Sequence, residues 1–189
     1  MNVYDVIKER RSIRSFLNKK VPDSILMKCL DSARLAPSGR NSQPLEYVLV
    51  TKDLEETFKC TAWAGSVSWK PTVADMPHAY IFILSNKKIA TWNLSVDVGI
   101  AAENIALCAQ SEGVSSCMLG ALKKPELKKQ MAIPENFEIE LAIALGYAKH
   151  KSFVEELKDE DTRYTIDDEG NFHIPKKKLS DIVHMERFR

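Results

Sequence analysis

Apolar positions along this chain follow two periods, which indicates helices alternating with buried strands. Between residues 22 and 35 they recur at helical spacing, starting from Pro22 and Asp23, which suit the first turn of a helix. The pattern stops before Pro37, because a proline disfavours helical backbone at the residue that precedes it. A longer helical pattern extends from Leu94 to Glu112, and its apolar stripe is rich in small residues. We therefore expect this helix to pack closely against another helix.

Four short apolar runs predict the strands of a sheet. They occupy Tyr47–Val50, Ala79–Leu84, Ser115–Leu119 and Glu138–Leu145. Shorter helices are predicted at about 54–60 and from Pro125 to Met131. Because several connections are long or irregular, this order favours a three-layer α+β or α/β domain over a doubly wound sheet. From residue 149 to 168 the chain is polar, and we expect a surface excursion there, followed by a turn at 168–171.

Composition is typical of a globular protein and argues against strongly charged partners. The 189 residues are 44% hydrophobic and 28% charged, and the formal net charge is +1, so nothing global drives the protein onto nucleic acid or an anionic membrane. A bound phosphate must then be captured by local groups. The sequence has no apolar run of roughly 18 residues and does not begin like a signal peptide. We expect no membrane span and a cytoplasmic location.

The nucleophilic and titratable residues form no recognisable catalytic or metal motif. The four cysteines lie far apart in the sequence, which indicates free thiols in a reducing compartment. The four histidines show no pairing at metal-ligand spacing, and no nucleophile-elbow or dinucleotide-binding motif occurs. We therefore expect neither a metal site nor a catalytic dyad.

The strongest candidate for ligand binding is the segment Arg10–Arg14, which contains three arginines and Ser12. The planar donor fork of arginine matches a phosphate, and the serine hydroxyl can add another donor. A solvated surface patch is the alternative interpretation of such a run. The lysines 176–178 form a second basic cluster, which matters for a ligand only if the tail folds back near the arginines.

Two further segments combine glycine or proline with polar groups. The loop Ala36–Pro44 joins a helix to a strand, and its two prolines stiffen it. Gly39 can adopt a positive φ there, and the loop's polar side chains offer hydrogen bonds. Contact with a ligand and a plain ordered loop both fit this pattern. Gly120 follows a predicted strand, where glycine either lets a flat ligand approach the backbone or makes a tight turn.

Taken in order, these segments resemble the FMN-dependent nitroreductase family. The resemblance covers nearly the whole chain and rests on Arg10–Arg14, Ala36–Pro44, Asp97–Asn104, Cys117–Ala121, Ala144–Tyr147, and Lys176–Leu179 leading to Ile182–His184. It implies an α+β fold, a three-layer α-β-α sandwich with a mainly antiparallel mixed sheet. It also implies one domain over residues 1–189 and an intertwined homodimer with two FMN sites at its interface. Residues from about 149 to 189 would embrace the partner subunit.

The resemblance also implies which residues bind FMN. They are Arg10, Arg11, Ser12 and Arg14 for the phosphate, ribityl and pyrimidine side; Pro37 and Ser38 through their backbone for the isoalloxazine; Met118, Leu119 and Gly120 for its other face, with the Gly120 amide near flavin N5; and Lys176 and Lys178 for closing over the phosphate.

Two residues depart from the family pattern. Leu45 stands where many relatives carry an aromatic residue, and Lys176 stands where the tail often carries arginine. Because lysine lacks the bidentate fork of arginine, the grip on the phosphate is expected to be looser at Lys176. Residues Trp63–Met76, where the family shapes its substrate pocket, do not align with the pattern.

The function implied is an FMN-dependent NAD(P)H oxidoreductase of nitroreductase type. Hydride would pass through flavin N5 in a ping-pong reaction to nitroaromatic, quinone or enone acceptors. No side chain is expected to act as a catalytic acid or base, and Arg14 is the candidate for electrostatic stabilisation of the reduced flavin. The choice between NADH and NADPH stays open.

Three alternatives accompany this hypothesis. The chain could be a flavin-consuming or dehalogenating relative, or an FMN-binding protein without NAD(P)H turnover. It could also bind nucleic acid or phosphopeptides through its two basic clusters, although the net charge of +1 counts against such a partner.

Overall fold

The computed structural model describes residues 2–63, 69–89 and 91–188, and the chain divides into two compact units. The first unit runs to Trp63 and continues from Pro71 to Lys149, while the second contains the segment up to Lys70 and the chain from His150 onward. The boundary after Lys149 coincides with the start of the predicted surface excursion. A single domain over residues 1–189 and an embrace of the partner subunit by the tail stay predictions.

The first unit contains every helix and strand that the sequence predicts. In chain order the predicted ones are α2 (Asp23–Arg34), β1 (Leu45–Val50), α3 (Leu54–Lys59), β2 (Ala79–Asn86), α4 (Leu94–Ser111), β3 (Ser115–Leu119), α5 (Lys124–Gln130) and β4 (Phe137–Gly146). A further helix that was not predicted, α1 (Val3–Glu9), precedes them. Their bounds differ from the predicted ones by a few residues, as is usual where apolar periodicity fades at the end of an element.

The four strands form one sheet in the order β1-β2-β4-β3, and each neighbouring pair is antiparallel. Ser12 adds a parallel bridge to Ser116 in β3. Because side chains alternate along a strand, Tyr80 and Phe82 of β2 face one side of the sheet and Ile81 faces the other, and all three are fully buried. Burial on both sides explains why β2 is a continuous apolar run in the sequence.

Helices cover both faces of this sheet. On one face α2 packs against α4, where the small side chains of Ala101 and Ala102 lie in the same core as Cys29. On the other face Phe16 and Leu127 of α5 pack on β2 and β4. The three-layer α+β architecture predicted from the sequence is therefore confirmed. The small-residue stripe of α4 is buried inside this unit, so it is not exposed for contact with a partner subunit.

The second unit contains a small sheet that the sequence analysis did not predict. Its strands are β5 (Ser152–Glu156), β6 (Thr165–Ile166) and β7 (Phe172–Lys176), in the order β5-β7-β6, and α6 (Leu179–Ile182) follows them. Buried Phe172 is the centre of this unit, with the rings of Trp69, His150 and Tyr164 around it. The expected turn at 168–171 is present, with Gly170 at a φ of +81.

His173 of β7 bridges two carboxylates of the second unit, which makes this unit sensitive to pH. Its Nε2 lies 3.1 Å from Asp167 Oδ2, and its Nδ1 lies 2.5 Å from Glu155 Oε1. The hydrogen bonds to Asp167 and Glu155 raise the pKa of His173, because they favour the imidazolium. The bond from His173 and the backbone N–H of Asn171 hold the pKa of Asp167 at about 2.

We expect the second unit to be most stable between about pH 4 and 6.5, where the unfolded Asp is ionised and the unfolded His is protonated. The stabilisation from His173 is lost as pH rises through its raised folded pKa, and that from Asp167 is lost as pH falls toward about 2. Hydrogen exchange of peptides from residues 150–176, corrected for intrinsic rates, measures this. His173→Gln should abolish the dependence above pH 6, and His184→Gln, in the same unit, should keep it. An unchanged profile in His173→Gln would contradict the assignment.

Candidate functional site

The segment Arg10–Arg14 lies immediately after α1 and alongside β3. The Ile13 N–H donates to the Ser116 carbonyl at 2.9 Å, and Ser12 forms a parallel bridge with Ser116. These contacts place the basic segment beside the strand that leads to Gly120. Two segments that are about a hundred residues apart in the sequence, and that were both predicted to bind one ligand, are therefore neighbours.

The guanidinium groups of this segment are held by local contacts. Arg10 Nε lies 3.1 Å from Glu103 Oε1 on α4, and Arg11 Nη1 donates to the Arg10 carbonyl at 2.6 Å. Arg14 Nη1 donates to the Ser12 carbonyl at 3.2 Å. Within the described ranges, the buried Arg11 Nε has no hydrogen-bond partner. A buried donor without an acceptor is uncommon, and it suits a site that is completed by an anion.

Two pKa shifts show how strongly charge is concentrated here. Burial and the neighbouring positive charge of Arg10 lower the pKa of Arg11. Burial raises the pKa of the Cys117 thiol in β3 to about 11, although the positive charges of Arg14 and Arg10 oppose that shift. Burial is the larger cause of both shifts, and the charges of Arg10 and Arg14 act on Cys117 in the direction expected of a positive cluster beside β3.

The end of β3 offers open backbone beside this cluster. Gly120 is exposed, has no left-handed φ, and an added Cβ would meet nothing within 4 Å. A tight turn therefore does not explain the glycine, whereas close approach of a flat ligand to the backbone does. The side chain of Leu119 is 4% exposed and belongs to the core, so only its backbone is available to a ligand. Met118 is partly buried against the core on the other face of the sheet.

The left-handed backbone of the loop Ala36–Pro44 occurs at residues other than its glycine. Arg40, Asn41 and Gln43 have φ values of 54, 55 and 49, whereas Gly39 is not left-handed. Gly39, which can adopt a positive φ, does not do so, and three other residues of the loop do. Left-handed backbone costs about 1–3 kcal/mol at each such residue and persists where the surroundings hold it. Ser38 helps to hold this backbone in place. Its Oγ accepts a hydrogen bond from the Gln43 N–H, and its carbonyl accepts one from the Asn41 N–H, both at 2.9 Å.

Asp97 anchors this loop to α4. Its Oδ1 accepts a hydrogen bond from the Gly39 N–H at 3.0 Å, and the residue is 3% exposed. Beside it, the Arg40 guanidinium stacks 4.2 Å from the centroid of the Trp92 ring. The sequence analysis did not select Asp97 as a site residue. A detectable signal existed, since Asp97 stands at helical spacing from buried Ala101 and places a carboxylate on an apolar stripe.

Pro37 and Ser38 line a small cavity together with Tyr47 and Asp97. Its volume of about 80 Å³ accommodates water but not a cofactor, since ligand pockets typically exceed about 300 Å³. The loop reaches α4 at Asp97 and the arginine segment reaches it at Glu103. Six residues of helix separate these points by about 9 Å along the axis and by roughly 120° around it.

The predicted tail ligands lie in the second unit. Lys178 Nζ forms a salt bridge of 2.9 Å with Glu156 Oε1, and Lys176 pairs with Glu156 across β5 and β7. That Lys176 and Lys178 close over a phosphate stays a prediction. Of the segment Trp63–Met76, residues 64–68 lie outside the described residues.

The four cysteines are free thiols. In the part of the chain that the structure describes, His, Cys, Asp and Glu side chains form no group of three or more that could hold a metal ion. No helix within those same residues is long and apolar enough to cross a membrane.

Known proteins are similar to this chain over most of its length. A model described as the nitroreductase family matches residues 7–147. A protein of Archaeoglobus fulgidus with the provisional name NADH dehydrogenase/NAD(P)H nitroreductase is 29% identical over 190 residues, covering 97% of both chains. An iodotyrosine deiodinase of Thermotoga neapolitana is 25% identical over 166 residues, covering 77% of this chain and 88% of its own. The solved structure of an FMN-dependent nitroreductase from Clostridium difficile R20291 superposes with a TM-score of 0.67 at 23% identity, covering 97% and 98% of the two chains.

Proposed function

Because the chain belongs to the nitroreductase family, we propose that it is an FMN-dependent NAD(P)H oxidoreductase. Its acceptors would be small planar molecules, namely nitroaromatics, quinones or enones. The observation that carries this proposal is the pairing of Ser12 with Ser116, which places a cluster of three arginines along β3, the strand that ends just before the open backbone at Gly120. Similar proteins named as an NAD(P)H nitroreductase and an FMN-dependent nitroreductase support the same cofactors.

The arginine segment has the donors that a cofactor phosphate needs. Arg11 Nε is buried without a partner among the described residues, and Arg10 shares its charge only with the half-exposed carboxylate of Glu103. Ser12 adds a hydroxyl at the point where the segment meets β3. These residues would hold the phosphate and ribityl portion, while the backbone of Met118–Gly120 would face the ring system.

When bound, FMN supplies two-electron transfer at N5, from a nicotinamide to the acceptor. The protein's part is then to hold the cofactor, to leave one face of its ring accessible and to tune its charge. The fixed positive charge of Arg14 would favour the more negative of the two oxidation states of a bound flavin. Gly120 has no side chain and open space beside it, so it would let the ring approach the backbone.

We further propose that two copies of the chain assemble. The apolar side chains of Val3, Tyr4 and Ile7 on α1 are 73%, 68% and 47% exposed, and such a face is normally covered in a soluble assembly. The separation of the loop Ala36–Pro44 from the arginine segment along α4 supports a site to which each copy contributes one of the two segments. The polar chain from residue 149 and the tail would complete the contact with the partner.

Dehalogenation is the second candidate, because a relative named iodotyrosine deiodinase matches over most of this chain. Both reactions would use the same cofactor site, and they differ in the acceptor. Reduction of a nitro group or a quinone leaves no halide, whereas reductive dehalogenation releases one halide ion per turnover.

Steady-state assays with FMN-loaded protein separate these functions. We expect NADH or NADPH to be consumed only when a nitroarene or quinone is present, with parallel double-reciprocal plots that indicate a ping-pong reaction. Iodide release from an iodinated tyrosine, without nitroarene reduction, would favour the deiodinase instead. Tight FMN binding with no turnover of either class would leave an FMN-binding protein and contradict the proposed enzyme.

A further inference from the structure

The carboxylate of Asp97 is buried in a way that packing alone does not explain. The residue is 3% exposed, and within the described residues its Oδ2 has no hydrogen-bond partner. Burying a carboxylate with an unsatisfied oxygen is unfavourable, and the positive end of the α4 helix dipole offsets only part of that cost. An apolar residue at this position would continue the stripe of Ala101 and Ile105. The acidic side chain is therefore better explained by what its other oxygen holds.

That other oxygen holds the most strained loop of the first unit. Oδ1 accepts the Gly39 N–H at 3.0 Å, directly before the left-handed residues Arg40 and Asn41. The hydrogen bonds from Gln43 and Asn41 to Ser38 are internal to the loop, so they fix its shape but not its position. The bond from Gly39 to Asp97 fixes the loop relative to α4 and hence to the sheet.

We propose that Asp97 is a positioning residue, whose carboxylate holds the backbone of Pro37–Gly39 in the place where it contacts the flavin. This inference rests on the proposed function for its ligand, but the anchoring itself is a property of the cofactor-free chain. Asp97 acts through the Gly39 amide and does not touch the reacting atoms. Removing the carboxylate frees the strained backbone to relax, so the ring contacts of Pro37 and Ser38 are lost while the sheet and its core stay in place.

Three variants test this role. Asp97→Ala removes the acceptor, whereas Asp97→Asn keeps an oxygen that can accept from the Gly39 N–H. Asn104→Ala is the matched control, because Asn104 lies on the same helix and its Nδ2 donates to the Ser32 carbonyl at 3.0 Å, outside the loop. Hydrogen exchange of the peptide covering residues 36–44 is measured in cofactor-free protein, and FMN affinity is measured by fluorescence titration.

For Asp97→Ala we expect loop exchange to be faster and FMN to bind more weakly, each by about tenfold, which corresponds to one lost hydrogen bond. Exchange in β2 and β4 should be unchanged. Asp97→Asn should restore both values to near wild type, which a merely electrostatic role of the carboxylate would not allow. Asn104→Ala should leave loop exchange and FMN affinity unchanged.

Wild-type loop exchange in Asp97→Ala would overturn the proposal, and so would equal losses in Asp97→Asn and Asp97→Ala. If Asp97→Ala does not fold, Asp97→Ser takes its place, because it removes the charge and its shorter side chain moves the acceptor away from the Gly39 N–H. Loop exchange at the wild-type rate in Asp97→Ser, or losses equal to those of Asp97→Asn, would then overturn the proposal. Should wild-type protein fail to bind FMN, the proposed function fails, and loop exchange still decides whether Asp97 anchors residues 37–39.

Discussion

Arg14→Ala is expected to weaken FMN binding by about 10- to 100-fold, the largest effect of any single substitution at the site. A hydrogen bond to a charged partner contributes roughly 1.5–3 kcal/mol, and each 1.4 kcal/mol is a factor of ten in the dissociation constant. Arg14 is bonded to the Ser12 carbonyl and acts electrostatically on β3, so it lies where the segment meets the strand. Quenching of flavin fluorescence, titrated at fixed salt concentration, gives the dissociation constant.

Two further variants make this result specific. Arg14→Lys keeps the charge but loses the planar donor fork, so its affinity should lie between those of wild type and Arg14→Ala. Lys59→Ala removes an equal charge from an exposed side chain that pairs with Glu55 and Glu56 on α3, and it should leave affinity unchanged. If Arg14→Ala binds FMN within twofold of wild type, Arg14 is not part of the site.

Gly146→Ala is expected to lower the free energy of unfolding by about 1–3 kcal/mol, the usual cost of forcing extra atoms into a packed core. A Cβ at this position would lie 2.7 Å from Cδ1 of Phe16, and Phe16 is only 1% exposed. The backbone of Gly146 is not left-handed, so it can accommodate an alanine without strain. The expected loss of stability therefore arises from contact with the side chain of Phe16. Because Phe16 closely follows Arg14, the displaced ring should also reduce FMN affinity.

A double-mutant cycle isolates this contact. Phe16→Ala removes Cγ and Cδ1, the two atoms nearest to the added Cβ, so the cost of the combined variant should be smaller than the sum of the two single costs. Urea denaturation of all four proteins provides the values. Gly99→Ala is the control, since its Cβ meets nothing within 4 Å on α4 and alanine favours a helix. Additive costs in the cycle would show that the penalty at Gly146 does not arise from Phe16.

The elements of the first unit could be predicted from the sequence because each depends on local periodicity. The apolar run of β2 and the stripe of α4 are visible without knowledge of their neighbours, and both were located within a few residues. The strands β5 and β7 are visible only through their pairing, because neither is apolar enough to be recognised alone. The two strands are about twenty residues apart, and Phe172 at the start of β7 pairs with Ser152 of β5 and is buried. The polar composition from residue 149 onward gives no sign of this small core.

The candidate residues could be selected from the sequence, but their arrangement in space could not. The arginine segment and Gly120 were both selected from the sequence, yet only the bridge between Ser12 and Ser116 shows that the segment runs along the strand that leads to Gly120. The loop Ala36–Pro44 was predicted to be stiffened by its prolines, but its left-handed residues could not be located, since they are Arg40, Asn41 and Gln43 rather than Gly39. Asparagine tolerates this backbone, but Arg40 and Gln43 give no local signal for it, because their conformation depends on bonds such as that from Gly39 to Asp97.

The half-reaction with the nicotinamide tests the central claim most directly. Protein reconstituted with FMN is titrated with NADH and, separately, with NADPH under nitrogen, and the visible absorbance of the oxidised flavin is followed. We predict that at least one nicotinamide bleaches the band at one equivalent per flavin and that a nitroarene added afterwards restores it. Bound FMN that neither nicotinamide bleaches would contradict the account.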